Sequence, residues 1–198
     1  MLDHACLSAV AALEDDPFYR SISEAYAGDV PKRRAVLAHY FDYSIQEGSR
    51  IGRSVHLAER SYGVAVWLLP QPDQVHAECA QRKRAFLGNC LGKTGSANYH
   101  QIVEYMSKKS AGVVGSDAWY LSIVAVDPTK QGQGLGRQLL APTMQEADSI
   151  GATSYLETFS QRSVRFYERL GFSTRASFQE PTTAAEYAIL VRHAKPGR

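Results

Sequence analysis

The sequence predicts an α/β domain, a mixed central sheet flanked by helices, and three observations carry that prediction. Up to about residue 50, apolar positions recur at helical spacing, whereas "GRSVHLAE" (52–59) and "YGVAVWLL" (62–69) alternate with a period of two. Farther on, "AWYLSIVAV" (118–126) runs directly into "DPTKQGQGLGRQLLAP" (127–142): a strand, a turn with glycine at every second position, then a helix. Strands and helices alternate from there, through "TSYLET", "SVRFYERL" and strands near 171–177 and 185–192.

Each element has a local cause. Leu7, Val10, Ala11 and Leu13 form one stripe of a first helix, and "DDP" at 15–17 supplies an N-cap with proline at a first-turn position. "DVPKRRAVLAHYFDYSIQEG" starts a further helix, expected to stop at Gly48. The two alternating segments form a hairpin turning near Arg60 and Ser61, with Val64, Val66 and Leu68 on one face. Residues 71–116 read as a helical insertion: a helix near 73–91, a "GKTGS" loop, and another helix near 98–110. "GKTGS" lacks the GxxxxGK spacing and a leading strand, so it is no phosphate loop. The helix after the glycines runs to about Ile150 and is expected to kink at Pro142, which removes a donor and crowds the carbonyl of Gln138. The tail, 193–198, is expected to be mobile.

Composition narrows the function. The 198 residues, 44% hydrophobic and 21% charged, fit one folded domain over 1–198 and argue against disorder. A formal net charge of +2 argues against nucleic acid or a membrane surface as partner. Cys6, Cys79 and Cys90 are an odd set with no CxxC pair and no zinc-like histidine spacing, read as reduced thiols with no metal site. No apolar stretch approaches the ~20 residues of a bilayer span. "ACLSAVAAL" follows Asp3 and His4 rather than basic residues, unlike a secretory signal. A cytoplasmic protein, monomer or homodimer, is expected.

The glycine turn points to a phosphate. A strand ending at Val126 and a helix opening at "GQGLG" present unpaired N–H groups at a positive helix terminus, and Gly132, Gly134 and Gly136 let a ligand approach them. The rhythm is GxGxG, not the dinucleotide GxGxxG, and no GK[ST] follows, so a diphosphate on another carrier fits best. Glycines that merely permit tight strand-to-helix packing are the plainer alternative.

"VAVDPTKQGQGLGRQLL" resembles the acetyl-CoA motif of the GNAT superfamily of N-acyltransferases, Q/R-x-x-G-x-G/A after a strand, with Gln131, Gly134 and Gly136 on its marked positions. "YLETFSQRSVRFYERLGF" resembles the family's following strand, helix and Y-E-x-x-G-F ending. The resemblance covers about 118–172 and has the flavour of the puromycin-acetyltransferase-like branch, which acts mainly on small amines. The chain departs from the pattern at two places. It opens on helices where most members open on a strand, which leaves that first strand in question, and Ser160 and Ser163 stand where members often carry Asn.

The resemblance implies acetyl transfer from acetyl-CoA to a primary amine of a small molecule by direct attack. The alternatives are a peptide or protein amine, or a non-catalytic acetyl-CoA-binding sensor. It implies that Val124, Ala125 and Val126 pair with the pantetheine arm and that a backbone N–H near Val126 polarises the thioester carbonyl. Backbone N–H groups of Gln131, Gly132, Gln133, Gly134, Leu135, Gly136 and Arg137 would hold the pyrophosphate, with Arg137 adding charge, and Ser160 and Ser163 would contact the cofactor arm. Tyr167 falls on the family's general-acid tyrosine, a phenol near enough in pKa to a departing thiol; the plainer role is packing beside Val164 and Leu170. Glu157 alternates with Leu156 on its strand and falls where related enzymes place a base, against the alternative of a buried hydrogen-bond network or an Arg partner. Trp119 and Tyr120 open the strand that would floor the substrate pocket, the 71–116 insertion would form part of that pocket, and His56 is the spare base.

Overall fold

The computed structural model describes residues 4–57 and 62–195. Three helices come first, α1 (His4–Leu13), α2 (Pro17–Ile22) and α3 (Val30–Ile51). Asp16 caps α2 by accepting from Phe18 N–H at 2.9 Å with Pro17 behind it, and Asp29 caps α3 by accepting from Lys32 N–H at 3.0 Å. A side-chain acceptor at each helix start satisfies an orphan donor, as the Asp–Pro signals predict. α3 does not stop at Gly48. That glycine is a packing position, where a Cβ would meet Val66 Cγ1 at 2.5 Å, and the helix continues to Ile51.

The sheet contains β1 (Gly52–His56), β2 (Gly63–Leu68), β3 (Trp119–Val126), β4 (Ser154–Thr158), β5 (Ser173–Glu180) and β6 (Ala185–Arg192) in the order β1-β2-β3-β4-β6-β5. All neighbours are antiparallel except β3 and β4. Among the described residues no strand precedes the helices, so the sheet opens with β1. The turn expected at Arg60 and Ser61 lies outside the described residues, as do 196–198 of the tail.

The remaining helices are α4 (Asp73–Ser110), α5 (Leu135–Ser149) and α6 (Gln161–Glu168). The expected "GKTGS" loop is instead helical on both sides of one residue, Gly92, whose φ of 68° and ψ of −174° break the ladder. A straight helix would set Lys83 and Tyr99 about 24 Å apart, yet the Lys83 ammonium lies 5.7 Å from the Tyr99 ring centroid. α4 therefore doubles back at Gly92, a backbone conformation that glycine takes without steric cost. α5 runs on through Pro142 without a break.

Two apolar layers enclose the sheet. α1 to α4 pack on one face against Val64, Val66, Ile123, Ala125 and Ile189. α5 and α6 cover the other, against Trp67, Trp119, Leu121, Leu156 and Leu190. Burying each such Leu or Ile contributes about 2 kcal/mol.

Two irregularities in β3 shape the site. The register with β2 passes from Val66↔Ile123 to Trp67↔Leu121, leaving Ser122 as a bulge that resets which side chains face which layer. β3 and β4 pair only at Trp119↔Ser154, Tyr120↔Tyr155 and Leu121↔Leu156, then part.

Candidate active site

The parting of β3 and β4 leaves a gap lined by backbone. From Ile123 to Val126, β3 is paired on its β2 side alone, so the peptide groups facing the gap have no strand partner. The glycine turn closes the same end. Asp127 accepts from Thr129 N–H at 2.8 Å, a 3-10 turn follows (Pro128–Lys130), and Gln131 Nε2 donates to Val126 O at 3.1 Å, tying the turn to the strand. Gly132 and Gly134 both hold φ at 81°, and a Cβ on either would meet nothing within 4 Å, so the turn faces open space. Backbone N–H groups from Gln131 through Arg137 donate to no other group among the described residues, and the first engaged is that of Gln138, to Gly134 O at 3.2 Å. A run of free donors at the start of α5 suits a diphosphate. Gln133 and Arg137 are exposed there, and Leu135 turns inward to the α5 layer. Gly136 has a packing role as well: a Cβ there would lie 3.0 Å from Phe166 Cζ, so it lets α5 approach α6.

Beside the gap lies a cavity of about 810 Å³, walled by the helical layer and both arms of α4 and floored by the centre of the sheet. Tyr120, Val124, Glu157, Ser160, Ser163 and Tyr167 all line it, so the structure brings these sequence-predicted residues together. Ala125 and Val126 are buried in the two cores and reach the gap through backbone alone. Trp119 does not line the cavity. It faces α5, because alternation puts Trp119 and Leu121 on one face and Tyr120 on the other. His56 ends the edge strand opposite Val64 and is not among the lining residues either.

Glu157 carries the strongest chemical signal. Burial pushes its carboxyl up to about 7, against a smaller opposing effect of the Tyr120 hydroxyl, and its Oε1 is buried with no hydrogen-bond partner among the described residues. Tyr167 projects from α6, its ring 5.1 Å from Phe166 and 5.9 Å from Phe172, and burial holds its phenol well above the usual range. Ser160 and Ser163 form the cap of α6: Ser160 Oγ accepts from Ser163 N–H at 3.3 Å and from Ser163 Oγ at 3.0 Å.

The rest of the cavity wall is not evident in the sequence. Lys83 on α4 pairs with Glu47 on α3 at 2.5 Å. Asp16, Tyr19, Tyr40 and Tyr99 join from α2, α3 and α4. The "DDP" signal marks Asp16 only as a cap, and nothing in the local pattern sets Tyr40 or Tyr99 apart from core aromatics.

Fold, gap and glycine turn define an acyltransferase architecture, and comparison places it. The acetyltransferase (GNAT) family model matches residues 56–172, and the chain belongs to that family and is an N-acetyltransferase. It is similar to a Corynebacterium glutamicum ATCC 13032 structure described as histone acetyltransferase HPA2 and related acetyltransferase, at 24% identity and a TM-score of 0.60, over 98% of this chain and 92% of that one. It is also similar to PH1933 from Pyrococcus horikoshii OT3, at 14% identity and a TM-score of 0.56, over 97% and 92%. These likenesses speak for the fold. The family's co-substrate is acetyl-CoA and its acceptors are amines. Among the described residues no cluster of His, Cys, Asp or Glu is arranged to hold a metal ion, and no helix is long and apolar enough to cross a membrane.

Proposed function

We propose that the protein transfers the acetyl group of acetyl-CoA to a primary amine of a small molecule by direct attack, with Glu157 as base and Tyr167 as acid. The observation that carries this reading is the joining of both residues in one cavity at the β3–β4 gap. Its volume, about 810 Å³, is of small-ligand size, and the small-amine flavour of the sequence agrees with it. Acetyl-CoA would supply the activated acetyl group as a thioester, held by the N–H groups of 131–137 and the unpaired β3 backbone.

Each residue's task follows from its surroundings. An alkylamine arrives as ammonium, with a pKa near ~10.4, and must lose a proton to become a nucleophile. Glu157, with an unpaired buried oxygen and a pKa raised toward neutrality, accepts that proton directly or through one water. Backbone N–H groups of β3 facing the gap stabilise the negative charge that develops on the carbonyl oxygen. Tyr167, kept protonated by burial, donates to the departing sulfur. Exchanging Glu157 for Gln tests the scheme: the rate should be low at neutral pH and recover as alkaline conditions deprotonate the amine. Identical pH profiles for both proteins at matched folding and acetyl-CoA saturation remove Glu157 from the role.

A further inference from the structure

We propose that Asp16 is the residue that holds the acceptor as a cation, and that the acceptor is an amine with one ammonium and an aromatic or similarly apolar body. The inference rests on the amine-acetylation reading and narrows it. Of the carboxylates lining the cavity, Asp73 is exposed at the start of α4 and Glu47 is matched by Lys83 at 2.5 Å, whereas the less exposed Asp16 and Glu157 form no ion pair among the described residues. Glu157 has a task as base. Asp16 has a carboxylate without a cation, and a half-buried charge in that state is costly until a ligand supplies the counter-charge.

Its position fits that use. The one hydrogen bond to the Asp16 carboxylate among the described residues comes from Phe18 N–H to Oδ1, which leaves Oδ2 for a ligand. Asp16 lies near enough to Tyr167 and Tyr19 to push both phenols upward, so a cation on it sits beside the acid of the transfer. Burial raises Asp16 itself to about 6, and it remains mostly ionised at neutral pH. Next to it the rings of Phe18, Tyr19, Tyr40 and Tyr99 form one cluster, with centroids 5.2 Å apart for Phe18–Tyr19, 5.8 Å for Phe18–Tyr99 and 5.9 Å for Tyr19–Tyr40. Aromatic walls beside a carboxylate favour a cation with an apolar body, by packing and by cation–π attraction. The helix cap does not explain the charge, because Asn caps as well as Asp.

Asp16→Asn therefore keeps the cap and deletes the charge, and Asp16→Ser does the same with a smaller group. Steady-state kinetics should compare phenethylamine, protonated at neutral pH, with aniline, which is not, alongside calorimetric binding of phenethylamine to the protein without acetyl-CoA. Both variants should raise KM for phenethylamine and weaken its binding about 10-fold or more, while KM for aniline and acetyl-CoA affinity stay within twofold and Tm at neutral pH does not fall, since each variant removes a costly charge. Equal changes for the two amines, or none, overturn the proposal. If wild-type protein acetylates neither amine, the binding arm decides: Asp16-dependent phenethylamine binding upholds the cation site and discards only these two amines as acceptors, and absent or Asp16-independent binding overturns the site.

Discussion

Tyr120 and Tyr155, partners on adjacent parallel strands, stack with ring centroids 4.8 Å apart and planes 27° from parallel, one rung before β3 and β4 part. Glu157 follows two residues after Tyr155 on the same face of β4, and the Tyr120 hydroxyl draws its carboxyl downward against the effect of burial. Tyr120→Phe keeps the stack and removes that hydroxyl, so Glu157 should rise above about 7. A base works only when deprotonated: its activity is present above its pKa and lost as pH falls through it. The rising limb of kcat/KM should move to higher pH in Tyr120→Phe, and a limb that stays in place would show that another group sets it.

The same raised carboxyl has a cost in stability. A carboxyl whose folded pKa lies above its unfolded value destabilises the fold progressively as pH rises from about 4.5 to about 7, and the penalty then levels off. The difference amounts to roughly 3 kcal/mol as an upper figure. Glu157→Gln should therefore melt at higher temperature than the wild type at pH 8 and at nearly the same temperature at pH 4, measured by calorimetry.

Tyr167→Phe keeps both ring contacts, with Phe166 and Phe172, and deletes only the hydroxyl. Turnover per folded molecule should fall about 10²-fold with acetyl-CoA affinity unchanged. A drop in Tm with turnover intact would assign the residue to packing.

Gly134 and Gly136 should respond differently to valine. Gly134, at φ 81° with open space around it, would strain by about 1–2 kcal/mol and cover neighbouring N–H donors, so acetyl-CoA affinity should fall severely while Tm falls modestly. Gly136→Val would press on Phe166, so its main effect should be on Tm. Isothermal titration and thermal melting of the two variants separate the effects, and matched losses would contradict the division of labour.

Lys83→Met strands Glu47, which is 5% exposed, without its partner, and should destabilise the fold by about 3 kcal/mol. Glu47→Leu combined with Lys83→Met should recover much of that loss. Chemical denaturation of the single and double variants measures it.

Much of the sheet and of the glycine turn is legible in the sequence because both depend on short-range signals. Alternation marks β1 and β2, the Asp–Pro starts mark α2 and α3, and the glycine rhythm marks the turn before α5. Features set by neighbours in space are not legible. Gly48 looks like a helix stop but is a contact with Val66. "GKTGS" looks like a loop, yet one positive φ at Gly92 suffices to reverse the chain. Trp119 and Tyr120 look equivalent until the sheet has two covered faces, and the bulge at Ser122 depends on the β2 register, which no single strand reveals. Asp16, Glu47 and Lys83 meet the cavity from separate helices, so only tertiary packing identifies them.

Leu68, the last residue of β2, pairs with Tyr120 near the start of β3. All of α4 thus hangs beyond a single rung of one antiparallel ladder, a long detour where a tight reversal would complete the hairpin. Its entropic cost grows only logarithmically with length. The detour is nonetheless anchored: Leu87, Leu91 and Ile102 are fully buried and Gly95 lies against the Ile22 backbone, so the segment tolerates change on its cavity-facing side and not at those contacts.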